Sequence, residues 1–295
     1  MGKRRLQLRP PRLDRPLETP FVAASFALTA ATCWGAGDFT GGIATRRSDA
    51  FRSVLVAYSV GLVALVIVAL ARAEPIPPFR DLGWGAVAGL SGMMGIGFLF
   101  QGFATGRMGI VAPVSAVLAT ALPVIFNTFI EGLPEMFQIG GFVFAIMGIW
   151  LLSRPEKLSG RSVGLGMAVA AGIGFGGFFI TLNQISESTV FWPLVAGRVA
   201  ACAAMLAFAL VARRPLLLRE IPLRLLTLAG ILDVLGNLFF LLALQSGRLD
   251  VTAVLGSLYP AVTAILARLV IKEHMTRQQI IGVSAAVLAI VLITL

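Results

Sequence analysis

Charge, histidine and cysteine are scarce in this chain, and their scarcity excludes several kinds of protein. Charged residues make up 13% of the sequence and apolar residues 58%, whereas soluble domains average about 25% and about 45–50%. The single histidine, His274, and the isolated cysteines Cys33 and Cys202 argue against a histidine-rich metal site and a disulfide framework. Neither a Gly-Lys-Ser/Thr phosphate loop nor a His-Glu-x-x-His helix is present. We therefore expect neither enzyme chemistry nor a cofactor.

Long polar stretches are also missing after the first twenty residues. Apolar runs of about twenty residues take their place, and this length spans a bilayer core of about 30 Å as a helix. They lack the alternating polarity of barrel strands. The ten predicted spans are Phe21–Gly42, Ser53–Ala71, Leu82–Thr105, Ile110–Ile130, Met136–Leu152, Val163–Gln184, Thr189–Ala212, Leu223–Gln245, Val251–Ile271 and Gln278–Leu295. The sequence therefore predicts an all-α polytopic membrane protein with ten transmembrane helices.

The second half of the chain repeats the first. With a shift of 141 residues and no gap, several positions coincide: Ala88-Gly89 with Ala229-Gly230, Gly95 with Gly236, Gly106-Arg107 with Gly247-Arg248 and Gly141 with Gly282. Five spans in each repeat make the second repeat enter the membrane from the opposite side. We therefore predict two inverted five-helix repeats, at residues 21–152 and 163–295, a construction typical of carriers.

The net charge of +10 lies mainly in the short loops and in residues 1–20. Loops of this kind lie beside phospholipid head groups, so the charge does not indicate a nucleic-acid partner. The basic segment 1–20 is predicted to be a disordered cytoplasmic tail of an inner (plasma) membrane protein, with both termini on that side. The loops on the opposite face hold more Lys and Arg than this face does, which the positive-inside rule disfavours.

Three charged residues fall well inside the predicted spans: Asp38, Arg198 and Asp233. A charge in the bilayer costs several kcal/mol unless it is paired, so such residues often mark substrate or ion sites. At about 1.5 Å per residue, Arg198 and Asp233 lie at similar depths near the midplane, and we predict an ion pair between them. That pair is either structural or part of a site where a carboxylate exchanges a proton or binds a cationic group. Asp38 lies towards the membrane surface opposite the one that holds the termini.

Uncharged polar residues extend this candidate site. Asn237 follows Asp233 by one helical turn on the same face and is expected to bind substrate by hydrogen bonds. Tyr259 and Gln101 are weaker candidates. Prolines inside spans remove backbone hydrogen bonds and are predicted to kink their helices or act as hinges. They are Pro113, Pro123 and Pro260.

Two stretches resemble a known family. The motif Trp34-Gly35-Ala36-Gly37-Asp38-Phe39 resembles the opening of the first span in the EamA group of the drug/metabolite transporter superfamily. The stretch 243–282, with Leu258-Tyr259-Pro260-Ala261-Val262, resembles the end of that group's second repeat. The resemblance covers nearly the whole chain from Phe21. It implies two inverted repeats around a central cavity, with Trp34, Gly35, Tyr259 and Pro260 near the cavity or its gates.

Many members of that group export metabolites or drugs. We therefore predict a secondary transporter that exports a small metabolite or drug-like compound by alternating access. Proton exchange and a homodimer are further options that the sequence leaves open. Two other functions also stay open at this point: a lipid-carrier flippase or its membrane subunit, and a non-transporting partner protein in a membrane complex.

Overall fold

Helices form all the regular secondary structure in the part of the chain that the structure, a computed structural model, describes. The described residues are 20–45, 48–105, 108–152, 165–186, 188–213, 221–266, 269–270 and 277–294. Nearly all of the predicted basic tail therefore lies outside them. The helices are α1 (Pro20–Thr45), α2 (Ala50–Ala71), α3 (Phe79–Thr105), α4 (Met108–Glu131), α5 (Met136–Leu152), α6 (Leu165–Leu182), α7 (Phe191–Val211), α8 (Leu223–Ser246), α9 (Leu249–Gly256), α10 (Tyr259–Leu266) and α11 (Arg277–Thr294).

These helices confirm the all-α polytopic membrane fold. Among the described residues, four segments are long and apolar enough to cross a membrane by length and composition alone: Phe51–Ala71, Phe79–Leu99, Phe191–Val211 and Leu223–Ser246. Shorter apolar helices cover further segments of the described chain. Most helix ends fall within about three residues of the predicted spans, because hydropathy identifies the segments that lipid can surround.

The ninth span differs from the prediction. The predicted span Val251–Ile271 is interrupted, because α9 ends at Gly256 and α10 begins at Tyr259. Pro260 has no backbone N–H with which to bond the carbonyl of Gly256, so the helix loses one hydrogen bond at this point. At the second position of α10, this missing donor has no consequence, since the first N–H groups of a helix lack intrahelical acceptors. The expected kink at Pro260 is thus a break just before it.

The two repeats interlock rather than lying side by side. Helix α1 of the first repeat packs against α8, α9 and α10 of the second. Reciprocally, α6 of the second repeat packs against α3 and α4 of the first. Helix α2 crosses to α7 and α8, while α5 pairs with α11. The centre of the molecule is therefore the place where helices of both repeats meet.

Glycines allow the closest of these contacts. An added Cβ at Gly85 would lie 2.1 Å from the backbone oxygen of Pro193, and one at Gly89 would lie 2.1 Å from that of Gly197. No side chain fits at such distances, so α3 and α7 touch backbone to backbone. This contact fixes the position of Arg198, which follows Gly197 directly, deep in the helix bundle.

Candidate functional site

An ion pair between α7 and α8 lies at the centre of the candidate site. The Arg198 guanidinium donates to Oδ2 of Asp233, which confirms that the two residues pair as their predicted depths required. The side chain of Arg198 is 6% exposed and that of Asp233 is 27% exposed. Burial of both charges is tolerated because each has the other as a partner. The greater exposure leaves the Asp233 carboxylate, rather than the guanidinium, accessible to a small molecule.

Hydrogen bonds extend this pair into the first repeat. Asn237 Nδ2 donates to Asp233 Oδ2 over 3.4 Å, and the Trp34 indole N–H donates to Asn237 Oδ1 over 3.1 Å. We call the series Arg198, Asp233, Asn237 and Trp34 the central polar chain. Within the described ranges, its bonds to Asp233 both end on Oδ2, which leaves Oδ1 as an available acceptor.

Tyr58 supports the buried guanidinium from α2. The Arg198 Cζ atom lies 4.1 Å from the centroid of the Tyr58 ring, a distance at which cation–π attraction is strong. One turn further along α2, Gly61 lets this helix approach α8 closely, because a Cβ there would lie 2.8 Å from Val234 Cγ2. Sequence reasoning missed Tyr58. The available signal was its rarity, since the chain has only two tyrosines and both lie inside predicted spans.

An aromatic cluster holds the Trp34 indole in place. The Trp34 ring centroid lies 5.1 Å from that of Phe240 and 5.9 Å from that of Phe179. Phe178 completes the group. Gly236 on α8 makes room for the indole, because an added Cβ would lie 2.4 Å from Trp34 Cδ1. The cluster therefore fixes the Trp34 indole N–H, the donor at one end of the central polar chain.

The Gly236→Ala substitution is expected to displace the Trp34 indole and break its bond to Asn237. Forcing a methyl group into such a site typically costs about 1–3 kcal/mol. The measurement is the apparent melting temperature in detergent together with tryptophan fluorescence. Gly97→Ala is the matched control, because an added Cβ at Gly97 meets nothing within 4 Å. Equal behaviour of the two variants would contradict the assigned contact.

The break between α9 and α10 touches α1 near the same centre. A Cβ on Gly35 would lie 2.6 Å from the backbone oxygen of Tyr259. The Thr263 hydroxyl donates to the carbonyls of Gly35 and Tyr259, over 3.0 and 3.2 Å. Tyr259 itself is half-buried. The discontinuous span is thus anchored to the Trp34-Gly35 segment, and Thr263 is a contact that sequence reasoning missed.

Asp38 lies on α1 four residues after Trp34, on the same helix face. Its side chain is exposed and interacts electrostatically with the phenols of Tyr58 and Tyr259. No hydrogen bond or ion pair engages its carboxyl within the described residues. The adjacent Gly37 lies against α8, where an added Cβ would be 3.7 Å from the Asp233 nitrogen. Asp38 therefore lies beside the central polar chain as an accessible carboxylate.

Other predicted site residues lie elsewhere or cannot be described. Gln101 lies in α3 and Pro113 in α4, but their side chains fall outside the described residues, as does that of Pro260. Pro123 is buried in α4, which continues without a break from Met108 to Glu131. A hinge role for Pro113 and Pro123 stays a prediction.

The fold and the central polar chain define a class, namely polytopic all-α membrane proteins built from two inverted repeats that meet at a polar centre. The chain belongs to the EamA-like transporter family, which it matches over residues 21–154 and 162–295. It is thus a multi-pass membrane transporter of the drug/metabolite type. Members of this family are transporters and not enzymes.

Two further comparisons agree with this assignment. An uncharacterized protein of Methanocaldococcus jannaschii is 26% identical over 131 residues, which are 44% of this chain and 94% of that protein. That relative is therefore about the length of one repeat. A solved structure titled only "Crystal structure of protein" is 17% identical and superimposes with a TM-score of 0.74, covering 92% of this chain and 95% of its own. This likeness concerns the fold alone.

Proposed function

We propose that this transporter is a secondary carrier of the inner (plasma) membrane that exports a small amphipathic compound with a cationic group by alternating access. The observation that carries the proposal is the central polar chain, in which Arg198, Asp233 and Asn237 of the second repeat are bonded to Trp34 of the first. A site shared by two inverted repeats is exposed to either side of the membrane when the repeats rock.

The charges favour a cationic group on the substrate. Asp38 and Asp233 together carry two negative charges, and Arg198 offsets one of them. Trp34 is hydrogen-bonded to Asn237 next to Asp233, and Tyr58, whose ring lies against Arg198, interacts electrostatically with Asp38. Aromatic rings attract cations once water is excluded. A compound with one positive charge and an apolar body matches both features, whereas an anionic compound would meet an unpaired carboxylate.

Proton coupling follows from the same geometry. The Asp38 carboxylate is exposed and has no hydrogen-bond or ion-pair partner among the described residues. It can therefore hold either a proton or the cationic group of the substrate, but not both. Exchange of the two at one carboxylate would link export to the proton gradient.

The arrangement in the membrane belongs to the same proposal. Residues 21–152 and 163–295 act as the two inverted repeats, and the basic residues 1–20 and both termini lie in the cytoplasm. Tail charge next to the first span supports this orientation. All described members of the site come from one chain, so a homodimer is not needed to complete it.

Counterflow in proteoliposomes tests the proposal. A pooled panel of labelled organic cations, amino acids, nucleosides and sugars is offered to wild type and to the Asp233→Asn variant. We expect exchange of a cationic compound in wild type and a loss of about tenfold or more in the variant, since bonds to charged groups contribute about 1.5–3 kcal/mol.

Asp49→Asn provides the matched control for this experiment. Asp49 caps α2 by accepting a hydrogen bond from the Arg52 backbone over 3.1 Å, away from the site. Asparagine caps helices as well as aspartate does, so this variant loses one charge and keeps the fold. Exchange of acidic amino acids or of uncharged compounds alone, or equal exchange by both variants, would contradict the proposed substrate class. If no compound exchanges, transport of a lipid becomes the favoured function.

A further inference from the structure

Loops from the two repeats are joined by hydrogen bonds at one end of the bundle. We call the membrane end at which α1 begins the near end and the opposite one the far end. Successive spans alternate in direction, so the α2–α3 loop and the α6–α7 loop both lie at the near end. The first loop belongs to the first repeat and the second loop to the second repeat. Contacts between them therefore cross the interface that must open for access from this side.

Glu74 of the α2–α3 loop caps helix α7 of the other repeat. Its carboxylate accepts hydrogen bonds from the backbone N–H groups of Val190, Phe191 and Trp192, over 2.7 to 3.2 Å. The Trp192 indole also donates to the Glu74 carbonyl over 2.8 Å. Helix α7 has no side-chain cap of its own, since its N-cap position is Val190. The carboxylate of Glu74 thus satisfies N–H groups that helix starts leave unpaired and complements the positive end of the helix dipole.

Asp81, at the start of α3, binds the same α6–α7 loop. Its carboxylate accepts from the backbone N–H and hydroxyl of Ser186, over 3.3 and 3.1 Å, and from the Thr189 hydroxyl over 3.5 Å. Gln245 on α8 donates to the carbonyls of the same two loop residues. Asp81 is only 1% exposed. Such a buried carboxylate depends on these donors, so separation of the loops would require its hydration.

The second repeat lacks this arrangement in its sequence. With the shift of 141 residues, Glu74 corresponds to Pro215 and Asp81 to Pro222. Proline has no carboxylate, so these two aligned positions cannot supply the acceptors that Glu74 and Asp81 supply. The two repeats therefore differ in sequence at the two positions that form these bonds.

We propose that Glu74 and Asp81 form a loop latch, which keeps the near end closed and makes access from the far end the resting state of the carrier. This inference rests on the proposed transport function. Asp38 agrees with it, because this exposed residue lies on the far side of Trp34 along α1. Entry from the near end then requires the bonds of both carboxylates to break together, which makes closure an all-or-none event rather than a gradual one.

Distance measurements between spin labels test the latch without any substrate. Labels are attached to cysteines replacing the exposed residues Ile76 and Ser188, one in each loop, after Cys33 and Cys202 are changed to alanine. We expect one short distance in the parent protein. The double substitution Glu74→Gln and Asp81→Asn is expected to add a longer distance, with about a tenfold larger open population, because several bonds to charged groups are lost.

Two further variants keep the test decisive. Glu135→Gln removes a charge from another near-end loop, where Glu135 is exposed, and should leave the distance unchanged. Glu74→Gln alone serves if the double variant fails to fold. Glutamine has one acceptor oxygen where glutamate has two, so this variant should still add a measurable longer distance. An unchanged distance in the Glu74→Gln protein would overturn the latch.

Counterflow by the same proteins separates this inference from the transport proposal. If wild type exchanges a compound but the latch variants show the parent distance, the latch is wrong and transport stands. If the distance lengthens while no compound exchanges in any variant, the latch is supported and the proposed transport is wrong.

Discussion

Replacing Arg198 with methionine is expected to destabilise the folded protein by about 3–5 kcal/mol, the cost of leaving one partner of a buried ion pair alone. The substitution removes the donor to Asp233 and the cation that lies 4.1 Å from the centroid of the Tyr58 ring. Among its bonds to described residues, Asp233 would then keep only the weak hydrogen bond from Asn237, of 3.4 Å. The measurement is unfolding by denaturant or heat in detergent, followed by circular dichroism.

The double variant Arg198→Met with Asp233→Leu tests the cause of this loss. Replacing a buried ion pair by apolar residues of similar volume is often neutral, so the double variant should recover most of the stability lost in the single one. A double variant that folds well but exchanges no compound would assign the pair to the transport site. If the single Arg198→Met protein were as stable as wild type, the pair would not stabilise the fold.

Asp38→Asn is expected to lower exchange of the cationic compound by about tenfold or more and to remove its dependence on pH, since bonds to charged groups contribute about 1.5–3 kcal/mol. Asparagine keeps the size of the side chain but can neither attract a cation nor exchange a proton. Among the described residues, Asp38 interacts electrostatically with the phenols of Tyr58 and Tyr259. The guanidinium of Arg198, which pairs with Asp233, lies against the Tyr58 ring. The experiment compares initial counterflow rates at two internal pH values.

The Asp49→Asn variant is again the reference, because it loses the same charge at the start of α2 without touching the site. Its exchange should vary with pH as that of wild type does. If transport and its pH dependence survived in both Asp38→Asn and Asp233→Asn, proton coupling through these carboxylates would be wrong. Loss of exchange with an unchanged pH profile at residual activity would assign Asp38 to substrate binding alone.

Part of the candidate site could be predicted from single residues. Asp38, Arg198 and Asp233 are conspicuous because lipid makes each buried charge costly, and depth along a helix is simple to calculate. Similar depth correctly indicated the Arg198–Asp233 pair. Asn237 could be predicted by the same reasoning, since it lies one helical turn after Asp233. Their roles in binding and coupling stay predictions until transport is measured.

Other contacts carried no local signal. Trp34 and Asn237 are 203 residues apart, and Glu74 binds the start of α7 across a separation of 116 to 118 residues. Glu74 and Asp81 look like ordinary loop acids in the sequence, because nothing next to them indicates the loop that they bind. The sequence also left the form of the ninth span open, since a proline such as Pro260 can either kink a helix or end it.

The sequence by itself determined the ten spans, their inverted duplication and the three charges that the membrane must accommodate. It could do so because the stability of each helix in the bilayer depends mainly on that segment's own length and apolar character. Tertiary structure alone decided which polar groups meet, where the ninth span breaks and which end the loop latch closes. Those outcomes depend on how each helix is rotated and how near its glycines let another helix approach, and residues from both repeats set these quantities together.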